Sequence, residues 1–110
     1  MTDARIGSQD PIKLHPEVAR FAELLRRIEV QLATNDAADW AIMVGRCRFA
    51  VEKSDAWGLH GFLGMCGGMG TLNDVVLHRD GKMLTTENDQ LHEMLEEAWR
   101  LGEKLQREEP

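Results

Sequence analysis

The sequence predicts an all-α protein, a compact bundle of four to five helices with a glycine-rich turn ahead of a short helical turn. Three observations carry that expectation. Two long stretches, Pro16 to about Ala33 and about Glu87 to Arg107, repeat their apolar residues at helical spacing. Capping and breaking residues punctuate the chain between periodic segments. The one run with strand character, Val75-Val76-Leu77, finds no convincing partner strand elsewhere, so it is read as part of a helical turn.

Residues 1–14 lack periodicity and contain Gly7, Ser8 and Pro11, which predicts a flexible lead-in to a single helical domain over residues 15–110. Pro16 suits a first helical turn, with His15 before it as a mediocre cap. Val18, Phe21, Leu25, Ile28 and Leu32 then follow steps of three and four, one face of a helix that Leu24 widens. Glu23 and Arg27 form an i,i+4 pair on the wet side. Asn35 or Asp36 is expected to cap a second helix, roughly Ala37 to Lys53. Its buried face is expected to be Trp40, Met43, Val44, Cys47 and Val51, with Phe49 and Ala50 near the edge. Gly45 in its middle costs about 1 kcal/mol relative to Ala, which predicts a tight helix crossing there.

Ser54 and Asp55 open a third helix, Ala56 to Cys66, which carries Gly58, Gly61 and Gly64 and so depends on packing. Gly67-Gly68-Met69-Gly70 must end it, since three glycines in four residues imply positive φ or close backbone approach. Thr71 is read as the cap of a turn through Leu72, Asn73 and Asp74. His78 to Thr86 is read as a loop marked by Asp80-Gly81. Thr86 and Asp89 resemble a capping box before the last helix. That helix is expected to bury Leu91, Met94 or Leu95, Ala98, Leu101 and Leu105, and to form Glu96–Arg100 and Glu103–Arg107 pairs.

The chain has 110 residues, enough for one domain, and is 43% hydrophobic and 29% charged, which excludes the disordered class. Its formal net charge of −6 argues against nonspecific binding to nucleic acid or to anionic membrane, both of which need excess Lys and Arg. The charge is concentrated: from Glu87 to Pro110 eight acids face three bases, which accounts for −5 of the −6. Two cysteines, Cys47 and Cys66, are too few for a disulfide scaffold. The first ten residues lack the apolar core of a signal peptide, and no run approaches about 18 apolar residues. The expected location is the cytoplasm, with both thiols reduced.

The stretch Gly67-Gly68-Met69-Gly70-Thr71-Leu72-Asn73-Asp74-Val75-Val76-Leu77 resembles the signature of a family of small bacterial proteins, a domain of unknown function. That signature is a GGMGS-aromatic/Leu-ND-hydrophobic motif. The similarity takes in Gly61 to Leu63, Asn88-Asp89 and the Leu-rich acidic helix behind them, so that it covers residues 37–105. Thr71 stands where the family has Ser, which keeps the hydroxyl. The resemblance implies a compact helical fold in bacteria and no known activity.

Each candidate chemistry meets a plainer reading. The glycine turn can present backbone N–H groups to an anion. It lacks the P-loop lysine and the GxGxxG spacing, however, and Asp74 would repel phosphate. The plainer reading is a tight reversal in which Asn73 and Asp74 hydrogen-bond exposed backbone groups. His60, Cys66, His78, His92 and Glu96 are the available metal ligands, but only His92 and Glu96 share a helix face and no ligand spacing is present. Cys66 lies at a helix C-terminal end, the wrong end for lowering a thiol pKa. Glu93, Glu96 and Glu97 cluster on the last helix, where they suit an electrostatic docking surface better than acid–base catalysis. Trp40, Trp57, Phe62, Met65, Met69 and Met83 bracket the glycine segment, and Met69 is expected to be partly exposed.

The function these features favour is a protein-binding module without catalytic residues, cofactor or metal. Its concrete form is an immunity protein that neutralises a cognate bacterial toxin. Gly67, Gly68, Met69, Gly70, Asn73 and Asp74 would form the anchor, and Glu93, Glu96 and Glu97 would steer association. The alternative is a small-molecule binder or small enzyme using a pocket at the Gly67–Gly70 turn. A self-associating helical protein, a homo-oligomer, is a third reading.

Overall fold

A computed structural model describes residues 15–66 and 71–108. Helix α1 (Pro16–Thr34) opens as its first residues dictate. Pro16 occupies the first helical position, and the Glu17 amide donates to His15 Nδ1 at 3.1 Å. Its Phe21, Leu24, Leu25, Ile28 and Leu32 are all buried, the stripe that the spacing predicts.

The chain turns through Asn35, Asp36 and Ala37, with Asp36 at φ 65°. Helix α2 (Ala38–Glu52) starts without a side-chain cap, so neither Asn35 nor Asp36 plays that expected part. Asn35 is instead buried at the end of α1, its Nδ2 donating to the Gln31 carbonyl at 2.8 Å. The buried face of α2 is Ala41, Val44, Cys47, Ala50 and Val51. Met43, expected in the core, is exposed, and Trp40 is only half-buried. The small side chains Ala41 and Ala50 sit at the contact and let the backbones approach, so the large neighbours Ile42, Met43 and Phe49 stay outside.

The expected tight crossing also moves. An added Cβ at Gly45 would come within 2.6 Å of the Glu29 carboxylate, the mobile end of a side chain. The glycine thus makes room for Glu29, which accepts from Arg48 Nε at 2.7 Å and ties α1 to α2. The close backbone approach is at Gly58 of helix α3 (Ala56–Met65). A Cβ there would lie 2.4 Å from the Cys47 carbonyl oxygen and 2.8 Å from the Val51 nitrogen. Asp55 caps α3 by accepting from the Trp57 amide at 2.9 Å.

A 3-10 turn (Leu72–Asp74) follows, flanked by Thr71, whose side chain makes no capping bond to it. Val75 to Leu77 is not the helical turn expected but an irregular stretch leading into a minimal hairpin. Strand β1 (His78–Arg79) pairs antiparallel with β2 (Lys82–Met83), His78 opposite Met83. Asp80 and Gly81 take φ of 53° and 80°, the two positive values that a two-residue hairpin turn requires. Strands of two residues are too short to show alternation, which is why this segment reads as a loop in sequence.

Helix α4 (Thr85–Arg107) begins two residues earlier than the capping-box reading placed it, with Leu84 at the cap position and no side-chain capping bond. Thr86 lies inside the first turn, so the Thr86–Asp89 box does not form. Leu91, Leu95 and Ala98 are buried; Met94, Leu101 and Leu105 are partly buried against the core.

The result is a compact all-α bundle of four helices plus the short 3-10 turn, with α1 as the shared wall that packs on both α2 and α4. Phe21 of α1 meets Phe62 of α3 edge to face, with ring centroids 5.6 Å apart. Gly102 of α4 leaves the space that Leu63 and Phe21 fill; a Cβ there would be 3.0 Å from Leu63 Cδ2. Arg20 pairs with Glu97 at 2.8 Å and Lys104 pairs with Glu17, which fixes α1 and α4 antiparallel.

Candidate functional site

Gly67, Gly68, Met69 and Gly70 lie outside the described residues, as does the expected lead-in over residues 1–14. The flanks of the glycine segment are defined. Cys66 ends α3 and is buried, and Asn73 Nδ2 donates back to the Cys66 carbonyl at 3.1 Å. Asn73 therefore ties the 3-10 turn after the segment to the end of α3 before it, a side-chain-to-backbone bond of the kind the plainer sequence reading expects of Asn73. Leu72 and Leu77, both fully buried, anchor the connection on either side of Asp74.

The connection is fixed further by a residue that sequence reasoning did not single out for a role. Asn88, in the first turns of α4, is buried. Its Oδ1 accepts from the Leu77 amide at 2.7 Å, and its Nδ2 donates to the carbonyls of Leu77 (3.1 Å) and Leu84 (2.9 Å). The Leu84 amide donates to the Leu77 carbonyl at 3.0 Å, so the base of the hairpin closes on Asn88. At the other end of the hairpin, Arg79 donates to Asn35 Oδ1 at 2.8 Å and to the Thr34 carbonyl at 3.2 Å. That places a cation at the C-terminal end of α1, where the helix dipole favours it. An Asn inside a helix carries no mark of burial in sequence; only its recurrence beside Asp89 in the motif resemblance pointed to it.

An open cleft of about 370 Å³ lies beside the glycine segment, lined by Cys66, Asn73, His92, Leu95, Glu96 and Trp99. It unites Asn73 and Glu96 from the expected site. Asp74 is not among its lining residues. Glu93 and Glu97 line two other clefts, the first with Arg26, Arg27 and Gln31, the second with Arg20 and Lys104. The three glutamates are exposed on α4 but are not equivalent. Glu97 pairs with Arg20, and Glu96 pairs with Arg100 at 2.6 Å. Glu93 forms no ion pair among the described residues, and the expected Glu103–Arg107 pair is also not formed among them.

Three of the five candidate metal ligands, Cys66, His92 and Glu96, share this cleft. Even so, among the described residues no three His, Cys, Asp or Glu side chains come together as a metal site. Burial pushes the Cys66 thiol up to about 12, with a smaller push from nearby Cys47, and burial pushes Cys47 up to about 11. Both are free thiols and stay protonated at neutral pH, so neither is a ready nucleophile. Of the apolar residues around the segment, Phe62 is buried, Trp40 and Met65 are half-buried, and Trp57 and Met83 are exposed. Met69 lies outside the described residues. No helix among the described residues is long and apolar enough to cross a membrane.

No curated protein and no solved structure matches the chain. The model of a family described as a domain of unknown function, DUF6966, matches residues 33–85. The match runs from the end of α1 to the first residue of α4, so the acidic helix lies beyond it. Over this segment, which holds α2, α3, the glycine-rich segment and the hairpin, the chain is similar to the DUF6966 family.

Proposed function

We propose that the chain is a protein-binding module, an immunity-type antagonist that neutralises a basic bacterial toxin in the cytoplasm, docking through the outer face of α4. The observation that carries this reading is the division of that helix. Its inner face is buried in the bundle, while Glu93, Glu96 and Glu97 stand exposed on a segment, Glu87 to Pro110, that carries −5 of the chain's net charge of −6. A field of one sign on a rigid helix raises the rate of encounter with a positively charged partner and falls with ionic strength. Glu93, free of ion pairs among the described residues, is the best placed of the three to meet a partner's cation. Glu96 and Glu97 must exchange Arg100 and Arg20 for it.

The test is association of the full chain with a basic toxin domain encoded beside it, measured at low and high salt. Affinity is expected to fall by at least about tenfold across that range. Glu93→Lys is expected to slow association while leaving the thermal midpoint unchanged. A change of less than about twofold with salt would remove the steering. A chain that gives no protection against any neighbouring toxin would remove the antagonist reading itself.

A second reading rests on the cleft beside the glycine segment. Its volume falls in the lower part of the range for small-molecule sites, and it gathers an amide, an imidazole, a carboxylate and an indole. Here the chain would bind a small polar ligand with Asn73, His92 and Glu96 as its contacts. A metabolite screen by thermal shift separates the readings, because a ligand at 100 times its dissociation constant adds about 2.7 kcal/mol of stability.

A further inference from the structure

Helix α2 carries a second stripe on the side away from the core. Asp39, Ile42, Arg46, Phe49 and Lys53 follow steps of three, four, three and four, and fall within an arc of about 80° on the helix surface. All five are exposed, Ile42 at 56% and Phe49 at 57%, with Met43 alongside at 43%. This is the spacing of a packing seam, yet no element among the described residues covers it. A single exposed apolar residue needs no explanation, whereas Ile42, Met43 and Phe49 stand together on one side of the helix, interleaved with Asp39, Arg46 and Lys53, as a patch of apolar and charged groups suited to a contact.

The charges along the seam indicate what covers it. Asp39 stands at one end and Lys53 at the other, and neither has an ion-pair partner among the described residues. Lys53 rests over the Phe49 ring, 4.9 Å from its centroid. A two-fold axis through Arg46 sets α2 antiparallel to its copy. It then brings Asp39 of each protomer to Lys53 of the other, and Met43 to Phe49. The seam is therefore complementary to itself. We propose that the chain forms an isologous dimer through the outer face of α2, independently of whatever α4 binds.

The same axis brings Arg46 against Arg46, which weakens the association. A single helix face also buries less than the roughly 800 Å² per partner of a standard interface. The dimer is accordingly a weak one, populated only at high protein concentration.

Sedimentation velocity of the full chain over a concentration series tests the proposal. The unmodified chain is expected to shift toward a dimer at high concentration, and Phe49→Asp to remain a monomer with an unchanged thermal midpoint. Asp39→Lys and Lys53→Asp are each expected to weaken the dimer about fivefold or more, and the double exchange to restore it. Arg46→Leu is expected to tighten it about tenfold, by relieving the repulsion at the axis and adding apolar area. The proposal is overturned if both the unmodified chain and Arg46→Leu stay monomeric at the highest concentration. It is overturned equally if Phe49→Asp still dimerises, or if the double exchange fails to restore what the single changes lose.

Discussion

A buried primary amide that spends both N–H groups and its oxygen on the backbone cannot be truncated without leaving a polar group in the dark. Asn88 is so placed, and the cost of losing it can be itemised. The Leu77 and Leu84 carbonyls keep other donors, the amides of Leu84 and Asn88 respectively, but the Leu77 amide has Asn88 Oδ1. Asn88→Ala is therefore expected to lower unfolding stability by about 2–3 kcal/mol, measured by denaturant titration. Asn73→Ala is expected to cost less, about 0.5–1.5 kcal/mol, because its amide makes one part-buried bond, to the Cys66 carbonyl. The thiols give a residue-scale prediction in pH. Folding raises both above the ordinary thiol value, so above about pH 9 the unfolded chain releases protons that the folded chain retains. Stability is unaffected by these groups below that point and falls as pH rises toward 11, by up to about 1.4 kcal/mol per pH unit for each thiol. Replacing either cysteine with Ala is expected to halve the slope between pH 9 and 10 in an alkaline unfolding series.

Among the elements, the glycines of α2 and α3 separate two kinds of close approach. At Gly45 the neighbour is the end of Glu29, which can swing aside at the loss of a partly buried pair with Arg48 worth about 1 kcal/mol. Alanine recovers about 1 kcal/mol of helix propensity, so Gly45→Ala is expected to leave the thermal midpoint within a few degrees of its starting value. At Gly58 the neighbour is backbone, and nothing can swing aside. Gly58→Ala is expected to destabilise by about 2 kcal/mol or more, through forced separation of α2 and α3. Sequence periodicity made α1 and α4 legible because their large apolar side chains, Val30 apart, point inward. It misplaced the face of α2, where small residues make the contact and Ile42, Met43 and Phe49 point away. Asp80-Gly81 was visible as a turn, but the hairpin was not, since four strand residues carry no alternating pattern. The Thr86–Asp89 box looked right in spacing and failed because Leu77 and Leu84 converge on Asn88, a tertiary arrangement that no local rule contains.

At the scale of the whole molecule, α1 is the wall around which everything else is arranged. It takes α2 on one side and α4 on another, and leaves each of those helices one outward face. Those faces differ in chemistry: the α4 face is acidic, and the α2 face alternates apolar Ile42 and Phe49 with charged Asp39, Arg46 and Lys53. Of the candidate site, the exposure of Glu93, Glu96 and Glu97 was legible from amphipathic spacing, whereas their division among three clefts was not, because it depends on where Arg20, Arg26 and Arg100 arrive in space. The cleft that joins Asn73 to Glu96 depends likewise on the meeting of α3, the 3-10 turn and α4. Site and faces alike require that the 71–84 connection be held against α4 rather than swing free. Amide hydrogen exchange on the full chain, resolved residue by residue, examines that requirement directly. The slowest amides are expected in α1 between Phe21 and Leu32, joined by those of Leu77 and Leu84, which lie outside any helix yet donate to Asn88 and to the Leu77 carbonyl. Exchange of Leu77 and Leu84 at the rate of an unstructured chain would contradict the account.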